Sequence, residues 1–199
     1  MEKIFSPHLK VAKNYWKSHL LPKDLSIDAT CGNGHDTLFL SELSDCIGLD
    51  IQPKALANTE ALLLSAGKKA TLHLLSHADI DTLKLPFSPR LIVYNLGYLP
   101  QGDKSITTKV DTTLVSIQKS LAILASDGAL SITCYPGHLE GEKEEVEILK
   151  FVETLSPKEW SVCHHRWLNR QRSPSFLWIS KSNVCSPTQE QPKGTFGLN

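Results

Sequence analysis

The stretch IDATCGNGHDT, Ile27 to Thr37, decides the fold. A short apolar run ends at Asp28, a turn carrying Gly32 and Gly34 follows, and a polar segment suited to starting a helix comes next. Strand, glycine turn and helix in that order make the ligand-binding corner of an open α/β sheet, where ligands sit outside the carboxyl ends of the strands. The two glycines let the backbone turn sharply and approach a ligand with no Cβ in the way. The helix start after Gly34 offers unpaired N–H groups to polar ligand atoms.

Outward from this corner, two kinds of apolar segment alternate. LSIDA (25–29), CIGLD (46–50), TLHLL (71–75), LIVYNL (91–96) and ALSITCY (129–135) read as short buried parallel strands. Segments at helical spacing lie around 35–43, 53–66, 110–124 and 142–154, and residues 3–20 form a leading amphipathic helix with Ile4, Val11, Tyr15 and Trp16 among its apolar residues. Pro53 marks a helix start, Gly67 a helix end, and Ser126-Asp127-Gly128 a turn. Alternation of this kind predicts an α/β, Rossmann-like fold: a mostly parallel, doubly wound sheet with helices on both faces. Trp160–Trp167 and Ser175–Lys181 are expected to close it as an antiparallel strand pair. Residues 1–182 read as one domain, and the polar, aperiodic segment 183–199 as a mobile tail.

Composition narrows the function classes. The 199 residues suit one domain with a sizeable core. No apolar run nears the roughly 20 residues that span a bilayer, and MEKIFSPHLKVAKNYW lacks the features of a signal peptide. No membrane association and a cytoplasmic location are therefore expected. Cys31, Cys46, Cys134, Cys163 and Cys185 form no C-x-x-C pair, so no metal site is expected and the thiols read as reduced. Formal net charge is zero, but its distribution is uneven: Lys3 to Lys23 holds five lysines and no acid, and Ser161 to Lys181 holds Arg166, Arg170, Arg172 and Lys181 and no acid. The acids gather in EGEKEEVE, 140–147, which reads as a solvated face.

The glycine turn is not a dinucleotide fingerprint. G-x-G-x-x-G fails at its third glycine, where Thr37 stands, and a carboxylate at Asp28 would repel a pyrophosphate. An acid there can instead face the ammonium of a methionine moiety, and Asp50, about twenty residues on at the end of the next strand, can accept both ribose hydroxyls of an adenosine. Asp28, Gly32, Gly34 and Asp50 together favour S-adenosylmethionine as cofactor over NAD. His77, just after the third strand, falls near the expected adenine position, where it reads equally as a loop residue beside Asp79 and Asp81.

The run after the fourth strand, LIVYNLGYLPQGDKSITTK (91–109), carries the second signal. Asn95-Leu-Gly-Tyr98 stands where amino-methyltransferases carry an Asn-Pro-Pro-Tyr type motif, without either proline. A side-chain amide oxygen at Asn95 can accept the N–H of an attacking amine and aim its lone pair. Tyr98 can stack on a base. Asp103 can take a proton or hold the amine, or serve as the N-cap of a following turn, and Lys104, Ser105 and Thr107 can meet phosphate or base edges.

DATCGNGHDT (28–37), YNLGYLPQGDKSITT (94–108), GHLEGEKEE (137–145) and LNRQRSPSFL (168–177) together resemble a bacterial family long labelled rRNA methylases and understood as tRNA methyltransferases. The likeness runs from about residue 4 to 181. It implies a class I methyltransferase fold, S-adenosylmethionine as methyl donor, tRNA as partner, and methylation of 5-aminomethyl-2-thiouridine at the wobble position. It implies a cofactor site at Asp28, Gly32, Asn33, Gly34, Asp36, Thr37, Asp50, Gln52, His77 and Asn95. The active-site loop is then Asn95, Gly97, Tyr98, Gly102, Asp103, Lys104 and Ser105, with His138 and Arg172 near substrate. Three departures stand out: Cys31 replaces the usual alanine, Pro136 replaces the first histidine of Tyr-His-Gly-His-Pro-Gly-Gly, and Pro174-Ser175-Phe176 replaces Pro-Pro-Phe.

Three other readings compete: a methyltransferase for another RNA base, a protein amine or a small molecule; a noncatalytic nucleotide- or RNA-binding module; and an NAD-linked oxidoreductase. The basic segments at both ends favour RNA. So short a chain has little room for a separate RNA-binding domain, and a homodimer would extend its RNA surface.

Overall fold

The computed structural model describes residues 6–99 and 106–182. Helix α1 (Pro7–His19) leads into β1 (Leu25–Asp28), α2 (His35–Ser41), β2 (Asp45–Asp50), α3 (Pro53–Ser65) and β3 (Thr71–Leu74). A 3-10 turn (His77–Thr82) precedes β4 (Leu91–Asn95), α4 (Val110–Ile123), β5 (Ala129–Cys134), α5 (Leu139–Glu153), β6 (Trp160–His165) and β7 (Ser175–Lys181). The strands form one seven-stranded sheet in the order β3-β2-β1-β4-β5-β7-β6. The first five run parallel, and β7 is antiparallel to both β5 and β6. The doubly wound sheet and its closing antiparallel pair are as the sequence predicts. Residues 183–199 lie outside the described residues, and so does the start of the leading segment, including Ile4.

Successive side chains of a strand point to opposite faces, and each face has its own apolar layer. Ile92 and Tyr94 of β4 join Ile27, Leu49, Ile117, Leu121 and Ile148 under α4 and α5. Leu91 and Val93 join Ala12, Trp16, Leu40 and Phe176 under α1 and α2. Trp16 is 1% exposed. Its indole N–H donates to Ser131 Oγ at 2.7 Å, which satisfies the polar atom that this side chain brings into the core.

Helix α5 begins at Leu139, a turn earlier than its apolar spacing suggests. The His138 side chain explains the difference: its Nδ1 accepts the Gly141 N–H at 3.1 Å and caps the helix. The order of strands reverses between β1 and β4, and in open α/β sheets that switch point is where a crevice forms.

Candidate active site

A cavity of about 810 Å³ opens at the carboxyl ends of β1, β2 and β4, within the range of small-molecule and cofactor sites. Its floor is the turn after β1. The Asp28 carboxylate, fully buried, accepts the Thr30 N–H at 3.2 Å and the Thr37 hydroxyl at 2.6 Å. Burial, with the charge of Asp36 next in weight, pushes this carboxyl up to about 7 against the pull of those two bonds. Gly34 has φ +82°, and a Cβ there would lie 2.7 Å from Thr59 Cα, so only glycine lets the turn pack on α3. The Gly32 N–H donates to one oxygen of Asp50 and the Gln52 N–H to the other, both at 2.9 Å. Asp50 thus ties the first and second strand ends together while lining the cavity.

The Asn95 side chain sits at the centre of the wall. Its backbone N–H donates to Thr30 Oγ at 2.8 Å, and its Nδ2 donates to Asp36 at 2.9 Å. That bond fixes which way the amide faces, and leaves the buried Oδ1 without a hydrogen-bond partner among the described residues. Lys13 of α1 pairs with the other Asp36 oxygen at 3.4 Å. Tyr135 stands beside Asn95, and its hydroxyl lies 3.3 Å from His8 Nε2; burial pushes the phenol up. His77 Nδ1 is also buried and without a partner among the described residues, and burial holds the imidazole down to about 4, so it is neutral at pH 7.

The loop after β4 closes at its neck. Gly97, at φ +132°, accepts the Thr108 N–H at 3.0 Å through its carbonyl and donates its own N–H to Thr108 Oγ at 2.9 Å. Tyr98 bridges to Thr107 through the backbone, and its ring lies 5.7 Å from that of His138. The Thr108 hydroxyl donates to Glu144 at 2.8 Å and Thr113 donates to the same carboxylate at 2.5 Å. Glu144 is 1% exposed, and burial raises its pKa against those two bonds.

Of the residues read from sequence, Gly32, Asn33, Asp36, Asp50, Gln52, His77, Asn95, Gly97, Tyr98, His138 and Arg172 line this one cavity. Asp28, Gly34 and Thr37 do not. Asp28 is fully buried behind the wall, its carboxylate held by Thr30 and Thr37, and Asp36 and Asp50 are the acids that line the cavity. Gly102, Asp103, Lys104 and Ser105 lie outside the described residues. Pro136 is buried and off the cavity wall. Cys31 lines the wall, 5% exposed, with a thiol that burial keeps protonated. Sequence reasoning does not single out His8, Lys13, Tyr135 or Glu144. For Glu144 a signal exists, because it shares a helix face with Ile148 and Val152, the buried residues four and eight positions on.

The donor set suits S-adenosylmethionine. Asp50 keeps lone pairs for a ribose diol, the turn before α2 leaves the backbone uncovered at Gly32, and the neutral His77 offers an unpaired ring nitrogen. Asn95 Oδ1 is a buried acceptor on the same wall, unpaired among the described residues. Among the described residues no group of three His, Cys, Asp or Glu is placed to hold a metal, and no helix is long and apolar enough to cross a membrane.

Fold and site define a methyltransferase of the S-adenosylmethionine-dependent class. A crystal structure described as a "putative rRNA-methylase" from Clostridium thermocellum superposes with a TM-score of 0.85 at 32% identity, covering 88% of this chain and 97% of that one. A methyltransferase from Streptococcus mutans, solved in complex with SAH, superposes with a TM-score of 0.82 at 32% identity, covering 90% and 100%. The chain belongs to the family described as "Putative rRNA methylase", whose model matches residues 46–181. It is also 35% identical to the chloroplastic tRNA (mnm(5)s(2)U34)-methyltransferase of Arabidopsis thaliana, over 86% of this chain and 68% of that protein.

Proposed function

We propose that this protein methylates the exocyclic amine of 5-aminomethyl-2-thiouridine at the wobble position of tRNA, giving 5-methylaminomethyl-2-thiouridine. The observation that carries the reading is Asn95 Oδ1: a buried acceptor, held in orientation through Asp36, without a hydrogen-bond partner among the described residues. An amine N–H fills that vacancy in hydrogen bonding, and the name of the Arabidopsis relative supplies the amine.

S-adenosylmethionine supplies a methyl group on a positively charged sulfur. In the transfer the methyl–sulfur bond breaks, a nitrogen–carbon bond forms, and the amine gives up one proton. Asn95 orients the amine by accepting one N–H, which leaves the lone pair free to attack in line. Tyr98, with His138 behind it, supplies the aromatic surface on which a uracil stacks. Asp50 and Gln52 hold the ribose end. Gly102, Lys104 and Ser105 enter this reading as substrate-binding residues, and Asp103 as the proton acceptor, from the loop sequence alone.

The test is transfer from labelled S-adenosylmethionine to tRNA taken from cells lacking this enzyme, with nucleosides resolved by mass spectrometry. Conversion of the 5-aminomethyl nucleoside by the wild type, and a loss of about 10²-fold or more in Asn95→Ala with cofactor affinity kept, is the expected result. Cofactor binding with no transfer to that nucleoside refutes the substrate and leaves the class standing.

A further inference from the structure

A second cavity, of about 340 Å³, lies apart from the first, where the end of β6 meets α1. Its walls are Val11 of α1 and the unbroken run His164-His165-Arg166-Trp167-Leu168. None of these residues lines the methyl-transfer cavity. His165 Nε2 is 2.9 Å from the Tyr15 hydroxyl, whereas His164 Nε2 is buried 3.8 Å from Glu145 with no hydrogen-bond partner among the described residues. Arg166 is exposed, Trp167 half-buried, and Leu168 is 90% exposed, which is unusual for so large an apolar side chain beside an arginine and an indole.

The charge around this cavity is mostly positive, with the acid Glu145 beside His164. The chain from Ser161 to Lys181 carries no acid, and α1 carries Lys10, Lys13 and Lys17 and no acid. The size, the aromatic wall and the guanidinium suit a nucleotide: a base stacks on an indole whatever its identity, and an arginine meets its phosphate. The same turn then runs on to Arg172 and Pro174, which line the methyl-transfer cavity. Arg172 is four positions on from Leu168, a reach of at most about 14 Å, so one loop of RNA can touch both cavities.

We propose that the second cavity holds a nucleotide flanking the methylated one, its base against Trp167 and its phosphate against Arg166. The proposal rests on the reading of RNA as substrate, and the test separates the two. The probe is a hairpin RNA with the sequence of a tRNA anticodon stem and loop, titrated onto the full chain at several salt concentrations. S-adenosylhomocysteine binding is measured in parallel. Trp167→Ala is expected to weaken hairpin binding about tenfold with the salt slope unchanged, and Trp167→Phe to recover most of it. Arg166→Gln is expected to reduce the slope of log affinity against log salt by about one. S-adenosylhomocysteine affinity stays at the wild-type value in all three. Wild-type binding of the hairpin with no change in Trp167→Ala, or a change matched by lost S-adenosylhomocysteine binding, overturns the pocket alone. Failure of the wild type to bind the hairpin overturns the RNA reading and the pocket with it.

Discussion

Glu144 is a carboxylate that α5 buries in order to hold a loop, and removing it has a calculable effect. In Glu144→Ala the hydroxyls of Thr108 and Thr113 lose their acceptor. A buried hydroxyl left without a partner costs about 1–3 kcal/mol. The void left by the side chain adds to this, and relief of the burial that raises the Glu144 pKa subtracts from it. The net expectation is a loss of about 2–4 kcal/mol, or roughly 5–15 °C in Tm for a chain of this size. Glu144→Gln keeps an acceptor oxygen for one threonine and sheds the charge, so it should lose less than about 1 kcal/mol. The kinetic effect follows from the next bond along. Thr108 Oγ accepts the Gly97 N–H, and Gly97 sits between Asn95 and Tyr98, so a slack neck misplaces both. A displacement of this kind costs on the order of 10²-fold in rate, whereas the Gly32–Asp50–Gln52 side of the cavity is untouched and cofactor affinity should hold. Urea denaturation and single-turnover transfer measure the two effects. An alanine variant as stable as the wild type, or one whose slower rate is wholly a loss of cofactor affinity, refutes the reasoning.

Gly34→Ala should be harsher, because a left-handed φ costs a Cβ residue about 1–2 kcal/mol before the contact with the Thr59 backbone is counted; calorimetric titration with S-adenosylhomocysteine is expected to show weakened binding, and wild-type affinity with wild-type stability would contradict the packing argument. Asp50→Ala leaves the Gly32 and Gln52 N–H groups without their acceptor and removes the ribose partner, so cofactor affinity should fall more than tenfold, about 1.4 kcal/mol or more; an unchanged isotherm would remove Asp50 from the site. Asp28 gives a pH signature: its carboxyl is pushed up from 3.8 to about 7, so the folded protein holds the proton more tightly than the unfolded chain and loses stability as pH rises across that interval. Asp28→Asn cannot ionise, so its Tm relative to the wild type should climb between pH 4 and 7; a constant difference would mean that Asp28 is not the titrating group.

The strands were legible because a parallel strand buried on both faces leaves a plain apolar run, as LIVYN does over β4. The turn from Cys31 to Gly34 was legible because glycine there answers a local steric need. Asn95 could be read from its place at a strand end followed by a glycine. Asp28 illustrates the limit: position at a strand end says that a carboxylate is near the crevice, but the hydroxyl of Thr37, one helical turn into α2, draws it away from the cavity. Glu144 was hidden by its neighbours, since a run of acids reads as solvated although one face of that helix is buried. His8, Lys13 and Tyr135 were hidden for another reason. They meet the site through the packing of α1 against the rest of the fold: His8 reaches Tyr135, more than a hundred residues on, and Lys13 reaches Asp36, contacts to which no local pattern points.

Cys31 stands on the wall of a cavity built for an alkylating agent. A sulfonium-bound methyl reacts with thiolates, which are better nucleophiles than amines, so an ionised cysteine at this place would consume the cofactor and scar the enzyme at once. Its thiol is shielded on the other side by Gly48, where a Cβ would come within 2.5 Å of the sulfur, and this close cover is part of what keeps the proton on. The glycine in β2 and the cysteine in the turn are therefore a matched pair: a side chain at residue 48 would meet both the Cys31 sulfur and Leu72, so the cover over the thiol depends on that glycine.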